Sequence, residues 1–413
     1  MDKKSALEIA VIGAGPVGLA LAVHAARALP QARITLFDAR AAEGDVSRDA
    51  RTLALSLASV HMLQRLGAWN ADAAQPILEV HVSQQGPTLA AALGGRLGAA
   101  LGEPVLHIRA VDEGVPQLGA VLSYGAIVEP LQRAWMAAAA RDPQRLVSRF
   151  GTAVAALKNK TSAVELDAGI VENFDLAIVA EGGVFADQAR KALVHDYRQT
   201  AWVGQVTFED EPATGSPGTV TARPAGVAFE RFTRNGPAAL LPLWDGRAAL
   251  VWCVNSDDDP VRELDDAQRV AVLNQLFHPS VGKIASVSRL KSFALGLNAE
   301  RTLTDGRIVR IGNAAQTLHP VAGQGLNLGL RDGFALVRAL SPGAGIDAAL
   351  RHIEWQRAPD RWAMIAATDF LARSFTWRLP GATSARALGL AGLQSMRPFK
   401  SALARQMMFG SGL

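Results

Sequence analysis

Near its start the chain reads Gly13-Ala14-Gly15-Pro16-Val17-Gly18, placed between a short, mainly apolar run, Leu7 to Ile12, and a stretch with helical spacing, Leu19 to Leu29. A second apolar run, Arg33 to Phe37, closes on Asp38, 20 residues after Gly18. This is the pattern of a β-α-β unit in a parallel sheet. The glycines allow a tight strand-to-helix turn and let a pyrophosphate come close to the backbone. The helix N-terminus supplies free N–H groups and the positive end of its dipole. Asp38 stands where a carboxylate can accept hydrogen bonds from a ribose. Gly13, Gly15, Gly18 and Asp38 are therefore expected to bind a dinucleotide. FAD and NAD share this fingerprint, so the loop alone does not choose between them.

The choice comes from a segment some 300 residues downstream, Gly312-Asn313-Ala314-Ala315-Gln316-Thr317-Leu318-His319-Pro320-Val321-Ala322-Gly323-Gln324-Gly325-Leu326-Asn327. It follows an apolar run, Ile308 to Ile311, and a helix is expected from Leu326 to about Leu340. Backbone N–H groups at that helix start, at Leu326 and Asn327, can point at the pyrimidine edge of a flavin ring. A helix N-terminus there stabilises the anionic reduced form. The Asn313 side-chain oxygen can accept a bond from a ribityl chain. The two segments together describe one FAD held at both ends. A plain NAD dehydrogenase would leave the second segment without a purpose.

At 413 residues, 49% hydrophobic and 19% charged, the composition suits a globular enzyme that buries a large core. No apolar run reaches the ~18 uncharged residues that a membrane span needs. The start, Met1-Asp2-Lys3-Lys4, runs straight into the first strand, so no signal peptide and a cytoplasmic location are expected. Cys253 is the only cysteine, which excludes an internal disulfide and a cysteine-based metal cluster; no metal site is expected. It lies in an apolar run and reads as core filling.

Charge is uneven along the chain. From Arg357 onward there are eight basic residues against two acids, interleaved with Trp362, Phe370, Phe375, Trp377 and Phe399. Such a tail can lie on the inner face of an anionic membrane or receive another protein. It can equally be a helical tail packed on the body with its arginines solvated. No nucleic-acid-binding module is visible.

The strand and helix signals alternate in blocks. The expected organisation is a nucleotide domain from residues 1–75, 125–190 and 301–345, a sheet domain from 76–124 and 191–300, and a helical C-terminal region, 346–413. Thr52 to Leu66 reads as one helix closed by Gly67. Alternation in Leu78 to Val82, Val105 to Ile108, Ala201 to Phe208, Thr219 to Ala222, Ala238 to Leu243 and Ala248 to Val254 predicts a mostly antiparallel sheet. The fold class is α/β: a Rossmann-like FAD-binding domain interleaved with an antiparallel substrate domain.

With these motifs the chain resembles the FAD-dependent aromatic hydroxylases of ubiquinone biosynthesis, within the p-hydroxybenzoate-hydroxylase-like class. The likeness runs over nearly the whole length. It includes Asp49-Ala50-Arg51-Thr52-Leu53-Ala54-Leu55-Ser56, Phe229-Glu230-Arg231-Phe232-Thr233, Gly236 to Leu243 and Ala367-Thr368-Asp369. The resemblance implies that Arg51 lies near the flavin and that Pro320 faces its reacting carbon. It also implies that Gly323, Gln324, Gly325, Leu326 and Asn327 bind the pyrimidine side. This chain has Gly312-Asn313, Gln316 and Ala180-Glu181-Gly182 where the class usually has Gly-Asp, a histidine and Ala-Asp-Gly. Those variants resemble the branch that hydroxylates 2-polyprenyl-6-methoxyphenol para to its hydroxyl.

What the resemblance implies chemically is reduction of FAD by NADPH or NADH, reaction with dioxygen to a flavin hydroperoxide, and oxygen transfer to a polyprenylated phenol in a dry site. His319, beside Pro320, is the first candidate for activating the phenol, although a loop histidine more often bonds backbone. Other ubiquinone-synthesis proteins are expected partners of the basic tail. A non-catalytic flavin-binding scaffold is the alternative, motivated by Asn313 and Glu181. A flavin halogenase would need a Trp-x-Trp-x-Ile-Pro string, which is not found.

Overall fold

The computed structural model describes residues 6–85, 105–182, 191–209, 225–341, 345–374 and 382–410. The expected strand Thr219 to Ala222 and the glycine- and alanine-rich loop before Val105 lie outside those residues.

A six-stranded sheet carries the glycine loop. Its spatial order is Thr304–Asp305, Ile308–Arg310, Leu176–Val179, Leu7–Ile12, Ala32–Asp38 and Leu146–Phe150, all parallel except the short first strand. Both faces of Leu7–Ile12 are buried from Ile9 onward, as parallel strands require. Ile9 and Val11 face one core with the helices Pro16–Ala28, Tyr124–Arg141 and Gly325–Leu340. Ala10 and Ile12 face another, closed by the three-stranded sheet Ala156–Asn159, Val164–Asp167 and Val171–Phe174. The register pairs Ile12 with Val179 and Val179 with Arg310. Residues near 12, 180 and 311 therefore emerge side by side at one sheet edge, the place where parallel sheets bind ligands.

The second large sheet is almost wholly antiparallel. It runs through Lys291–Glu300, Lys191–Phe208, Ala248–Asn255, Gly236–Pro242, Val227–Thr233, Glu79–Gln84 and Val105–Arg109; only Val227–Thr233 and Glu79–Gln84 pair in parallel. The two-residue strand Gln316–Thr317 joins its end. The segment that follows Ile311 is thus tied to both sheets, and the strands of the two sheets interleave along the chain.

One expectation needs correction. Thr52 to Leu66 is not a single helix: Thr52–Ser56 is a strand paired with Gly119–Ser123, and the helix is Leu57–Arg65. Leu53, Leu55 and Leu57 fit a two-residue period as well as a helical stripe, and Ser56 decides the boundary by capping the Ser59 N–H. Gly67 closes the helix with φ +64°.

The tail forms three helices, Ile346–Ser374, Ala382–Ser395 and Arg397–Phe409, which fold back over the body. Ala404 and Met408 share a core with Leu57, Ile77, Leu106 and Ile108. The arginines of this tail are not all solvated, as packing alone implied. Arg357 and Arg361 are fully buried. Arg357 bridges Asp332 at 2.8 Å and Asp360 at 2.6 Å. Arg361 donates to Gln316 Oε1 and to the Glu300 carbonyl, both at 2.5 Å. Gln316, which stands where the class usually has histidine, is therefore a link in a buried polar network: its amide also reaches Asp332 at 3.4 Å. No described helix is long and apolar enough to cross a membrane.

Candidate active site

The first loop is built as close approach demands. Gly13 has φ +101°, and a Cβ there would stand 2.9 Å from the Glu181 Cβ. A Cβ on Gly18 would stand 1.9 Å from the Gly13 carbonyl oxygen, so that contact is backbone against backbone. Helix Pro16–Ala28 begins at Gly15 without any side-chain cap. Its first N–H groups are left for a ligand. Asp38 accepts the Ala14 N–H at 2.5 Å on one oxygen and the Arg40 N–H and Nε on the other. It braces the loop, with Arg40 Nη2 also 3.4 Å from the first oxygen. Glu181 lies close by; burial first, then the charge of Asp38, raises its carboxyl above the ordinary range, and Arg40 partly offsets this.

The second segment packs on the first. Gly312, with φ +60°, sits against Val17, and a Cβ on Gly329 would be 2.7 Å from the Gly312 Cα. A Cβ on Gly182 would lie 2.7 Å from the Cβ of Asn313, which sets Asn313 beside the Glu181 loop. Helix Gly325–Leu340 also begins without a side-chain cap, at Gln324. The Asn327 side chain is committed internally. Its oxygen accepts from the Ser56 N–H and Ser59 hydroxyl, and its amide donates to the Ala54 and Gly323 carbonyls. What Gly325, Leu326 and Asn327 offer outward is backbone N–H. Arg51 holds Asp49 at 2.7 Å and lies 4.2 Å over the Tyr124 ring, whose hydroxyl reaches to 3.5 Å from where a Gly15 Cβ would be. The two uncapped helix starts, the glycine cradle and the Arg51–Tyr124 pair share one face. They fit a dinucleotide with a long flat ring.

His319 is almost wholly buried, and both ring nitrogens have partners. Nδ1 accepts the Val321 N–H at 3.2 Å, which makes Nε2 the donor to Gln199 Oε1 at 3.0 Å. Burial pushes its pKa down to about 4, so the ring is neutral. The imidazole shapes the turn that presents Pro320 and Val321, while Pro320 itself faces a cavity.

That cavity, of about 270 Å3, lies between the antiparallel sheet, the 320–323 turn and the tail helices. Ala228, Phe232, Ala239 and Val251 line the sheet side; Leu390, Leu393, Leu403 and Met407 line the tail side. Among its described lining residues one side chain is a carboxylate, Glu230. Burial pushes that carboxyl up to about 8. Cys253 also borders the cavity, and burial raises its thiol well above the usual range. In the sequence Glu230 stands within the string Phe229 to Thr233. The available signal was the alternation Ala228, Glu230, Phe232, which puts an acid on an otherwise apolar strand face.

Comparison with known proteins agrees with this geometry. Residues 176–368 match the FAD binding domain family. The ubiquinone hydroxylase UbiL of Rhodospirillum rubrum is 29% identical, over 97% of this chain and 89% of that one. The 3-demethoxyubiquinol 3-hydroxylase of Escherichia coli is 28% identical over 93% of each. Klebsiella pneumoniae HpxO, solved with FAD and uric acid, superposes with a TM-score of 0.71 over 98% of this chain and 97% of that one; at 16% identity the likeness is one of fold. The protein is a flavin-dependent monooxygenase of the aromatic-hydroxylase class, with FAD as cofactor and NAD(P)H and dioxygen as co-substrates. Over nearly its whole length it is similar to FAD-dependent hydroxylases of ubiquinone biosynthesis.

Proposed function

We propose that the chain hydroxylates a polyprenylated phenol that is a ubiquinone precursor, with 2-polyprenyl-6-methoxyphenol, para to its hydroxyl, as the specific reaction. The observation that carries this is the cavity. It meets the flavin-side turn at Pro320, Val321 and Gly323, and apart from Glu230 and Cys253 its described lining is aliphatic and aromatic. A phenol ring held against Pro320 and a prenyl chain running toward Leu390, Leu393 and Met407 match that lining.

FAD, when bound, supplies two-electron reduction and activation of dioxygen. The protein's own residues do the rest. Gly13, Gly15 and Gly18 admit the pyrophosphate, and Asp38 receives the ribose. Arg51 stands beside that loop, and Gly312 and Asn313 receive the ribityl chain. Gly323, Gln324, Gly325, Leu326 and Asn327 present N–H groups to the pyrimidine side. Pro320, set by His319, closes the reacting face, and the apolar walls keep water out. In balance, a phenol, dioxygen, NAD(P)H and a proton give the hydroxylated ring, NAD(P)+ and water.

The substrate comes from a membrane or a carrier. Leu388, Met396 and Phe399 stand exposed beside exposed Arg397 on the tail helices that wall the cavity. This face is suited to an anionic bilayer. The deciding assay mixes purified protein, FAD, NADPH and air with short-chain ubiquinone precursors that differ in ring substitution. Mass spectrometry should show one added oxygen, with 2-prenyl-6-methoxyphenol the preferred substrate. No hydroxylated product from any member sinks the reading.

A further inference from the structure

We propose that the Glu230 carboxyl group receives the phenolic hydroxyl of the substrate and takes its proton as the ring is oxygenated. This rests on the cavity being the phenol site, and among the described lining residues it gives that site its one carboxylate anchor.

Glu230 lies mid-strand in Val227–Thr233, paired with Ala239 on one side and Val82 on the other. Alternation sends Val227 and Phe229 into the core behind the sheet and turns Ala228, Glu230 and Phe232 toward the cavity that Pro320 borders. Among the described residues none hydrogen-bonds or ion-pairs with the Glu230 carboxyl. Arg231, next along the strand, points the other way by the same alternation. A lone carboxyl in apolar surroundings costs stability unless a ligand completes it. A phenol is the complement: its O–H is a donor, and the rest of it is apolar.

The electrostatics agree with that role. Among the described residues no counter-charge holds the carboxyl ionised, and desolvation raises its pKa to about 8. Cys253, from the strand Ala248–Asn255, is the other ionisable group among the described lining residues, and its buried thiol is neutral. The strands Glu79–Gln84, Val105–Arg109 and Gly236–Pro242, the 320–323 turn and the three tail helices turn apolar side chains to the cavity. His81 and Arg231 are on the far face of the sheet; His81 is pushed down to about 4 by burial and is neutral. A base near pH 8 is well matched to a phenol, whose own pKa is about 10.

The proton balance closes. The Glu230 carboxylate takes the phenolic proton and becomes the acid. The oxygen's electron pair then enriches the ortho and para ring carbons, one of which bonds the incoming oxygen. When that carbon loses its hydrogen as a proton to solvent, Glu230 returns its proton to the ring oxygen and is a carboxylate again.

The test uses the FAD-loaded full chain, its Glu230→Gln variant, a short-chain 2-prenyl-6-methoxyphenol and the O-methyl ether of that phenol. Flavin absorbance reports binding between about pH 6 and 9, a window around the raised carboxyl and below the phenol. The wild type should bind the phenol about tenfold more tightly than the ether, as one hydrogen bond to a charged group provides. That preference should decline as the pH falls through about 8, and Glu230→Gln should lack it while holding FAD as the wild type does. In turnover, Glu230→Gln should lose on the order of a hundredfold in hydroxylation and divert NAD(P)H oxidation to hydrogen peroxide. Equal discrimination by both proteins, or unchanged coupling in the variant, overturns the assignment. A wild type that shows the Glu230-dependent preference but forms no product supports the anchor and removes the hydroxylase reading instead.

Discussion

The side-chain oxygen of Asn327 accepts the backbone N–H of Ser56 at 2.8 Å, across 271 residues of sequence. With Ser59, Ala54 and Gly323 as its other partners, this one side chain fixes the start of helix Gly325–Leu340 to the strand that leads from Arg51. Asn327→Leu should therefore loosen the flavin-side turn. Each buried donor left bare costs about 1–3 kcal/mol. The denaturation midpoint should fall and FAD should dissociate more readily, both followed by flavin fluorescence. Unchanged FAD affinity in a folded variant would remove Asn327 from the support of the site.

Gly18→Ala is expected to abolish FAD loading. The added methyl would stand 1.9 Å from the Gly13 carbonyl oxygen, where backbone cannot yield without opening the turn. The measurement is flavin absorbance per protein after reconstitution. A Gly18→Ala protein that is as yellow as the wild type contradicts the loop's role.

Three histidines are held neutral by burial: His24, His81 and His319, each lowered from 6.5 to about 4. Above 6.5 both folded and unfolded forms are neutral there, and nothing changes. As the pH falls through 6.5 toward 4, the unfolded chain takes up protons that the folded chain refuses, so stability declines over that window. Thermal unfolding followed at successive pH values should show this fall. His319→Asn, whose oxygen can still accept the Val321 N–H, should shallow the slope by one proton's share; an identical slope in this variant would mean that His319 titrates normally.

Little of the polar core behind the flavin turn was legible beforehand. The glycine loop and Asp38 are local signals, because a strand, a turn and a helix announce themselves by spacing. Arg357 and Arg361 looked like solvated tail charges, since a count of bases says nothing of Asp332, Asp360 and Gln316 waiting across the fold. Glu230 was overlooked for a related reason: the strand alternation was readable, but that tail helices cover its face was not. Thr52 to Leu66 misled because leucines two apart satisfy both periods.

Replacing Arg357 by methionine removes the arginine nearest to the buried Asp332 and Asp360, leaving Gln316 on the first and Arg331 and Gln406 on the second. Breaking a buried pair on one side typically costs about 3–5 kcal/mol. The melting temperature should drop by several degrees. The double variant Arg357→Met with Asp332→Asn should recover part of that loss; no recovery would place the cost elsewhere.

Truncating the tail would not isolate a membrane contact, because Ala404 and Met408 belong to the core. Exchange of exposed side chains does. Leu388→Asp with Phe399→Asp should lower co-sedimentation with anionic vesicles while leaving FAD content intact. Equal sedimentation would place the contact on another surface.

The register of the six-stranded sheet has a consequence for synthesis. The strand at Leu7–Ile12 waits for residues 176–179, and these wait for 308–310, before its edge is complete. Pairings so distant along the chain are slow to close and leave open strands meanwhile. A ribosome must therefore release most of this polypeptide before any yellow cofactor can be gripped, and cells that make it quickly should depend on chaperones to shield the early half.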